Sequence, residues 1–337
     1  MTEFVKDLLF LTLLAFMSTV LVSAWSLNKI LLTGPKAYLT FSEGVARGAR
    51  KGLEECHHQF RWDRWNCPDT SVPLSTDTFT QANRETAFVH AIVSAGVMFV
   101  LTQNCSLGAY DKCSCDVSRN GLKGGPNWTW GGCSDNILFG AQVSRQFVDN
   151  LETGNDARAA MNLHNNEVGR RAVRKTMKMT CKCHGVSGSC TTKTCWQQLA
   201  QFRKVGDYLR RKYSKAIRVD YQDGRLKLGN EASSGSVLPA IPSSDLVYLD
   251  ASPDYCRANL TAGTEGTVGR ECVRPKKKAK ASKWERRSCK RLCKSCGLRV
   301  RKRLVEVTTS CNCKFHWCCA VKCEQCVRKV NKFRCAK

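Results

Sequence analysis

The residues with the most chemical potential in this chain are its 22 cysteines, an even number within 337 residues and far above intracellular usage. Thiols at that density either pair with one another or ligate metal. Cys293-Lys-Ser-Cys296 and Cys323-Glu-Gln-Cys326 have the C-x₂-C spacing of zinc ligands. The six histidines and the crowd of other cysteines do not sort into discrete four-ligand sets, so oxidised pairs are expected and a metal is not. A second chemical candidate is the run Cys181-Lys-Cys183-His-Gly-Val-Ser-Gly-Ser-Cys190-Thr-Thr-Lys-Thr-Cys195. Pairing Cys183 with Cys190 across the loop, and Cys181 with Cys195 outside it, presents His184 to Ser189 as a rigid tip. Gly185 and Gly188 permit sharp turns there and leave Ser187 sterically open. Ser187 is a poor catalytic nucleophile. Gly185-Val-Ser-Gly-Ser189 lacks the second glycine of G-x-S-x-G, and no buried acid is evident to orient His184. An enzyme is therefore not expected, and from the residues alone this is a solvated turn serine.

The same device recurs near the C-terminus, in Cys311-Asn-Cys313-Lys-Phe-His-Trp-Cys318-Cys319-Ala-Val-Lys-Cys323-Glu-Gln-Cys326. Folded as a hairpin with its tip near Cys318, Cys313 lies opposite Cys323, Phe315 opposite Val321 and Cys311 opposite Gln325. Directly opposed strand residues sit about 4.5 to 5.5 Å apart at Cα, which a disulfide spans. A small bulge would then join Cys311 to Cys326. Cys318 and Cys319 are left at the tip, where a vicinal bridge would be strained. The resulting finger carries Phe315, Trp317, Cys319 and Val321 toward one side, exposed at the hairpin end.

Elements that would position these tips can be read along the chain. Leu8 to Val22 is a fifteen-residue apolar run, too short for a stable membrane span, and Val22-Ser23-Ala24 offers a cleavage site before Trp25. Residues 1–24 thus read as a signal peptide, although Lys6 sits between Glu3 and Asp7 and gives no positive flank. Sequons at Asn104, Asn127 and Asn259 suit a secreted glycoprotein. Thr40-x-x-Glu43 has a capping-box signature and precedes Val45, Ala49, Leu53 and Cys56 on one helical face. Phe88, Ile92, Ala95 and Phe99 lie within the nearly all-apolar run Ala87 to Leu101, which predicts a central buried helix. Phe139, Val143, Phe147 and Leu151 mark a third helix, and Met161, Val168 and Ala172 a fourth. Trp196, Leu199, Phe202, Leu209 and Tyr213 mark a fifth. Such stripes make a bundle core and imply no cofactor.

Between Cys195 and Cys256 no cysteine occurs, and the Gly-, Ser- and Pro-rich stretch from Asp223 reads as an exposed linker over 223–250. Ten cysteines precede it, within a helical domain over 25–222, and twelve follow, within a domain over 251–337 where bridges replace much of the core. The predicted class is α+β: an N-terminal α-helical bundle with disulfide-bridged hairpin insertions, then a C-terminal disulfide-rich β-hairpin domain. Net charge is +26, and residues 270–337 hold 23 Lys or Arg against 4 acidic residues. Outside the cell, the polyanions that suit such a segment are sulfated glycans and acidic membranes, with no nucleic acid implied. Lys276 to Lys280, Arg286 to Arg291 and Arg299 to Arg303 are its densest clusters.

Four stretches resemble the Wnt family of secreted morphogens: Cys183 to Cys190, Trp128-Thr-Trp-Gly-Gly-Cys-Ser-Asp-Asn136, Trp284-Glu-Arg-Arg-Ser-Cys289 and Cys311-Asn-Cys-Lys-Phe-His-Trp-Cys-Cys319. They stand in family order, the similarity runs from about Trp25 to Cys335, and it is strongest toward the eighth subgroup. Many family members carry a further cysteine pair, so one family bridge is absent here. The resemblance implies a helical domain and a disulfide-rich domain that grip the Frizzled cysteine-rich domain from two sides. It implies that Ser187 carries palmitoleate, a monounsaturated sixteen-carbon acyl ester added by Porcupine, and that Wntless carries the acylated protein to the surface. Gly185, Val186, Ser187 and Gly188 would meet the receptor on one side, and Phe315, Trp317, Cys318, Cys319 and Val321 on the other. Co-receptors related to the low-density-lipoprotein receptor complete the signalling complex, and the charge of the chain adds heparan sulfate as an expected partner. Family bridges map to Cys56–Cys67, Cys105–Cys113, Cys115–Cys133, Cys181–Cys195 and Cys183–Cys190. Further along they map to Cys256–Cys296, Cys272–Cys289, Cys293–Cys335, Cys311–Cys326, Cys313–Cys323 and Cys318–Cys319. The function implied is a developmental ligand of the extracellular space, matrix and cell surface. The alternative is a heparin-binding structural or growth-factor-like protein.

Overall fold

Helix α2, Arg84–Ser106, organises the N-terminal unit, because from Ala87 to Leu101 every residue except His90 is buried. In this computed structural model the described residues are 35–67, 81–111, 113–228, 240–259, 264–275, 280–317 and 319–337. The expected signal peptide and the Lys276 to Lys278 cluster lie outside them. By length and composition α2 would cross a membrane, yet protein covers nearly all of it, in agreement with a central core helix. It starts where Asn83 Oδ1 accepts the backbone N–H groups of Glu85 and Thr86, at 3.1 and 3.0 Å. Helix α1 (Pro35–Phe60) crosses it at glycines: a Cβ on Gly48 would stand 2.5 Å from Val97 Cα, and one on Gly52 2.7 Å from Ile92 O. Only hydrogen at those positions lets the two backbones meet.

Helices α3 (Ile137–Ser144), α4 (Ala157–Lys175) and α5 (Phe202–Tyr213) complete the helical layer. A π-helical turn, Arg145–Asp149, extends α3. Phe41 on α1 packs edge-on against Tyr110, Phe139 and Phe147. Two small sheets attach to this layer. One has the order β1-β2-β4-β3, from Lys123–Gly125, Trp128–Trp130, Lys193–Gln198 and Lys178–Cys183. The other has the order β6-β5-β7, from Arg225–Leu228, Ile217–Gln222 and Val247–Tyr248. The α+β class is therefore observed, with four of the five predicted stripes on helices α1 to α4.

Several boundaries differ from the sequence reading. Thr40 and Glu43 lie inside α1, which begins five residues earlier at Pro35, so their spacing marks no helix start. Leu151 falls beyond the third helix and is exposed. Trp196 belongs to strand β4, and the fifth helix begins only at Phe202. The linker is shorter than composition suggests. Arg225–Leu228 pairs with β5 around the Asp223-Gly224 turn, while Leu246 and Val247 are fully buried.

The chain divides into two units near Ala251, but residues 57–67 group with the C-terminal one. Arg270 explains that assignment. Its guanidinium donates to the carbonyls of Asp63, Arg64 and Arg61 at 2.7, 2.6 and 3.2 Å. In this second unit a core of Cys272, Cys289, Leu292, Cys293 and Cys335 is covered by Trp62, Leu298, Val300 and Phe333. Helix α6 (Lys283–Leu292) carries a true capping box: Ser282 Oγ accepts from Glu285 N at 3.2 Å, and Glu285 Oε2 from Ser282 N at 2.7 Å. The sheet has the order β8-β10-β9, with β8 at Glu271–Cys272, β9 at Arg299–His316 and β10 at Ala320–Ala336.

Acid should loosen the helical unit in a defined order. Desolvation holds the largely buried His90 imidazole down at about 4, and the nearby Arg158 charge pushes the same way. Burial lowers His164 as well. A histidine kept neutral in the fold but free to protonate when unfolded costs stability as pH falls from about 6.5 toward the folded value. Burial would raise Glu167, but hydrogen bonds from Arg145 and Arg170 outweigh it and hold the carboxyl at about 2. Its contribution is lost only below about pH 4.5. Glu152, raised by burial, acts in the opposite sense at acid pH. Thermal melts should therefore fall between pH 7 and 5, and His90→Gln should flatten that fall. An equally steep fall in the variant would remove His90 from the account.

Candidate functional site

The first site is the tip between β3 and β4. Cys181 and Cys195 face each other directly across these antiparallel strands, with Cα atoms 4.0 Å apart, and are joined by a disulfide. Cys183–Cys190 closes the tip at a Cα separation of 4.6 Å. Inside the loop a tight turn is held by three backbone bonds: Gly185 N to Ser189 O at 2.7 Å, Gly188 N to Gly185 O at 3.0 Å and Ser189 N to Val186 O at 3.1 Å. Ser187 takes φ +54°, ψ +29°, a left-handed conformation that a non-glycine residue adopts at some cost. Gly188 follows at φ +78°. The result turns Ser187 and its neighbours outward, and Val186 is 90% exposed.

The loop separates its two hydroxyls. Ser189 folds back over Gly185, where an added Cβ would stand 2.5 Å from Ser189 O and 2.6 Å from Thr191 Oγ1, with Ser189 Oγ closer still. That makes glycine necessary at 185 and sets the Ser189 hydroxyl against the Gly185 backbone, although Ser189, like Ser187, is exposed. His184 Nε2 lies 2.9 Å from Thr194 Oγ1, at the base of the loop.

The second site is the finger of β9 and β10. Phe315 faces Val321 and Cys313 bonds to Cys323, their Cα atoms 4.0 Å apart. The bulge, however, lies on the opposite strand from the one needed to set Cys311 across from Cys326. Asn312, at φ +47°, is the extra residue on β9, so Cys311 faces Glu324 rather than Gln325, and Cys326 faces Thr309. Cys311–Cys326 is thus a diagonal bridge, spanning 5.9 Å at Cα. Both cysteines still point to one face, because their opposed partners lie two residues apart. Phe315, Trp317 and Val321 are 71%, 95% and 63% exposed.

The expected Cys318–Cys319 bridge is not formed. Cys319 carries a free, exposed thiol, and Cys318 lies outside the described residues. A bridge between adjacent cysteines would have to close an eight-membered ring across a single planar peptide bond, a strained geometry. Elsewhere Cys105–Cys113, Cys115–Cys133, Cys256–Cys296, Cys272–Cys289 and Cys293–Cys335 are bonded, and Cys56 and Cys67 are both oxidised. The four cysteines with zinc-like spacing are therefore consumed in disulfides. Among the described residues no group of three or more His, Cys, Asp or Glu is placed to hold a metal. Asn127, at φ +60° on the β1–β2 turn, and Asn259 are exposed. Asn104 is half-buried, its side chain bonded to Arg47 and Tyr110 at 3.0 Å each.

Known proteins share this arrangement. Residues 30–336 match the Wnt family profile. The chain is 59% identical to zebrafish (Danio rerio) Protein Wnt-8b, over 96% of this chain and 90% of that protein. It is 56% identical to Xenopus laevis Protein Wnt-8, over 97% and 92%. Among solved structures, one titled human WLS in complex with WNT8A superposes with a TM-score of 0.69 at 50% identity, covering 93% of this chain and all of the matched one. A profile match over nearly the whole chain and relatives this similar settle the assignment: the chain belongs to the Wnt family, whose members are secreted signalling ligands and not enzymes.

Proposed function

We propose that this chain is a lipid-acylated ligand that joins the Frizzled cysteine-rich domain to a low-density-lipoprotein-receptor-related co-receptor and so activates Wnt signalling. The observation that carries the reading is the left-handed, outward Ser187 in a doubly bridged loop, a hydroxyl an acyltransferase such as Porcupine can reach. Palmitoleate on Ser187 would supply most of the attraction. Burying a sixteen-carbon chain at about 0.8 kcal/mol per CH₂ releases roughly 10 kcal/mol before ordering costs. The matched WNT8A is bound to WLS, which supports Wntless as the carrier here too. Exposed lipid makes a free ligand poorly soluble, which gives such a carrier its purpose. Glycans on Asn104, Asn127 and Asn259 belong to the same secretory reading.

The finger supplies the second contact through Phe315, Trp317 and Val321, with Cys318 and Cys319 at its tip. Trp317→Ala should weaken Frizzled binding by ~2 kcal/mol, about thirty-fold, with secretion and acylation unchanged. Biolayer interferometry against the isolated receptor domain measures it; unaltered affinity in a folded variant would place Trp317 outside the interface.

Charge favours an accessory partner. Arg301 faces Arg334 and Arg303 faces Lys332 across β9 and β10, like charges directly opposed in a sheet. Such pairs are unfavourable alone. Glu271 offsets only part of this, at 2.9 Å from Arg334 and 3.2 Å from Lys332. A sulfated glycan such as heparan sulfate would relieve the rest, retaining the ligand at cell surfaces and matrix.

A further inference from the structure

One face of the β3–β4 hairpin is the wall of a cleft. Lys178 and Lys182 on β3 and Thr194, Trp196 and Gln198 on β4 alternate to the same side, as their register requires. His184 continues the row toward the tip and is held there by Thr194. Phe99, Leu107 and Leu199 close the far side with apolar surface, and Leu107 is 75% exposed. The cleft measures about 790 Å³, within the roughly 300–1,000 Å³ typical of small-molecule sites.

We propose that this cleft shelters the acyl chain of Ser187 whenever neither receptor nor carrier holds it, an inference that rests on the acylation reading above. Reach supports it. His184 lines the cleft only three residues from Ser187, at most about 11 Å of extended backbone. A sixteen-carbon chain spans about one leaflet of a ~30 Å hydrocarbon core, or about 15 Å. At least about 4 Å of chain therefore passes His184 and lies along Thr194 in the direction of Trp196, and more does so where the loop is folded shorter than full extension. Chemistry supports it as well. Phe99, Leu107, Trp196 and Leu199 give the lining its apolar surface beside the polar Gln103, Ser106 and Asp135, while Lys178 and Lys182 lay apolar stems along the chain and keep their ammonium groups in water. Because the chain is tethered, its effective concentration is of millimolar order, so even a weak site fills. Receptor and carrier would then compete with the ligand's own cleft for the lipid, which sets how much of it is free to meet a membrane.

Two measurements test this. In Ser187→Ala protein, which has no tether, a free sixteen-carbon fatty acid brominated along its chain should quench tryptophan fluorescence saturably, and Trp196→Phe in that background should remove most of the quenching. Absence of quenching, or quenching indifferent to Trp196, would overturn the proposal and leave the cleft to a partner's apolar side chain. In protein whose acyl group is verified by intact mass, Ala200→Trp, which fills the cleft, should raise partition into phosphatidylcholine vesicles about five-fold and leave Ser187→Ala protein unaffected. Equal partition with and without the filler would overturn the sheltering alone. Protein lacking any acyl mass would instead defeat the acylation reading and the tethered occupant with it.

Discussion

Ser187→Ala should leave both units folded, abolish the acyl mass, impair hand-off to the carrier and cut receptor activation by at least about 100-fold. The magnitude follows from the lipid. If only about 3 kcal/mol of the roughly 10 kcal/mol gross burial energy survives ordering costs, its loss is already about 100-fold in affinity. Folding is spared because the hydroxyl is exposed at a tip and supports no core. Ser189→Ala is the control. Ser189 is folded over Gly185, so removing its hydroxyl should change acylation little. A reporter assay in receptor-bearing cells, scaled to secreted protein, reads the difference; equal loss in both variants would mean that the loop's shape, not its acceptor hydroxyl, is what matters.

The largest expected effect on stability lies in the core of the helical unit. Arg170 is 1% exposed and holds Asp149 through two bonds, at 2.9 and 3.0 Å, with a third to Glu167 at 2.9 Å and a fourth to Ser94 Oγ at 3.2 Å. Arg170→Ala should cost ~3–5 kcal/mol, because it strands the largely buried Asp149 without its counter-charge, while Glu167 keeps Arg145 and Arg171. Arg170→Lys should recover little, since one ammonium cannot replace a fork that bonds in three directions. Urea denaturation gives the numbers. A loss below about 1 kcal/mol would show that Asp149 finds water or another partner once the guanidinium is gone.

Spacing alone reveals both fingers, because a strand's two-residue period places cysteines from either side of a turn in register: Cys181 with Cys195, Cys313 with Cys323. The same rule mispredicts Cys311, since nothing in Asn312's type compels the positive φ that puts the extra residue on its own strand. Apolar density marks α2 as a helix, though the same density would suit a membrane span, whereas capping signatures mislead. Thr40-x-x-Glu43 and Ser282-x-x-Glu285 look alike, and only the second starts a helix. Composition makes 223–250 look like linker throughout, yet Leu246 is fully buried and Val247 enters a core with Val219, which only the tertiary fold brings near. Trp196 is the costliest miss. Its helical spacing with Leu199 and Phe202 hides the strand, and with the strand the cleft beside the acyl-bearing loop.

Intact mass spectrometry of the secreted protein, followed by sequencing of the peptide that holds residues 184–193, tests the central claim most directly. One monounsaturated sixteen-carbon acyl group per chain is expected, carried on Ser187 and absent from Ser187→Ala. An active secreted ligand with no acyl group, or with the group on another residue, would contradict it.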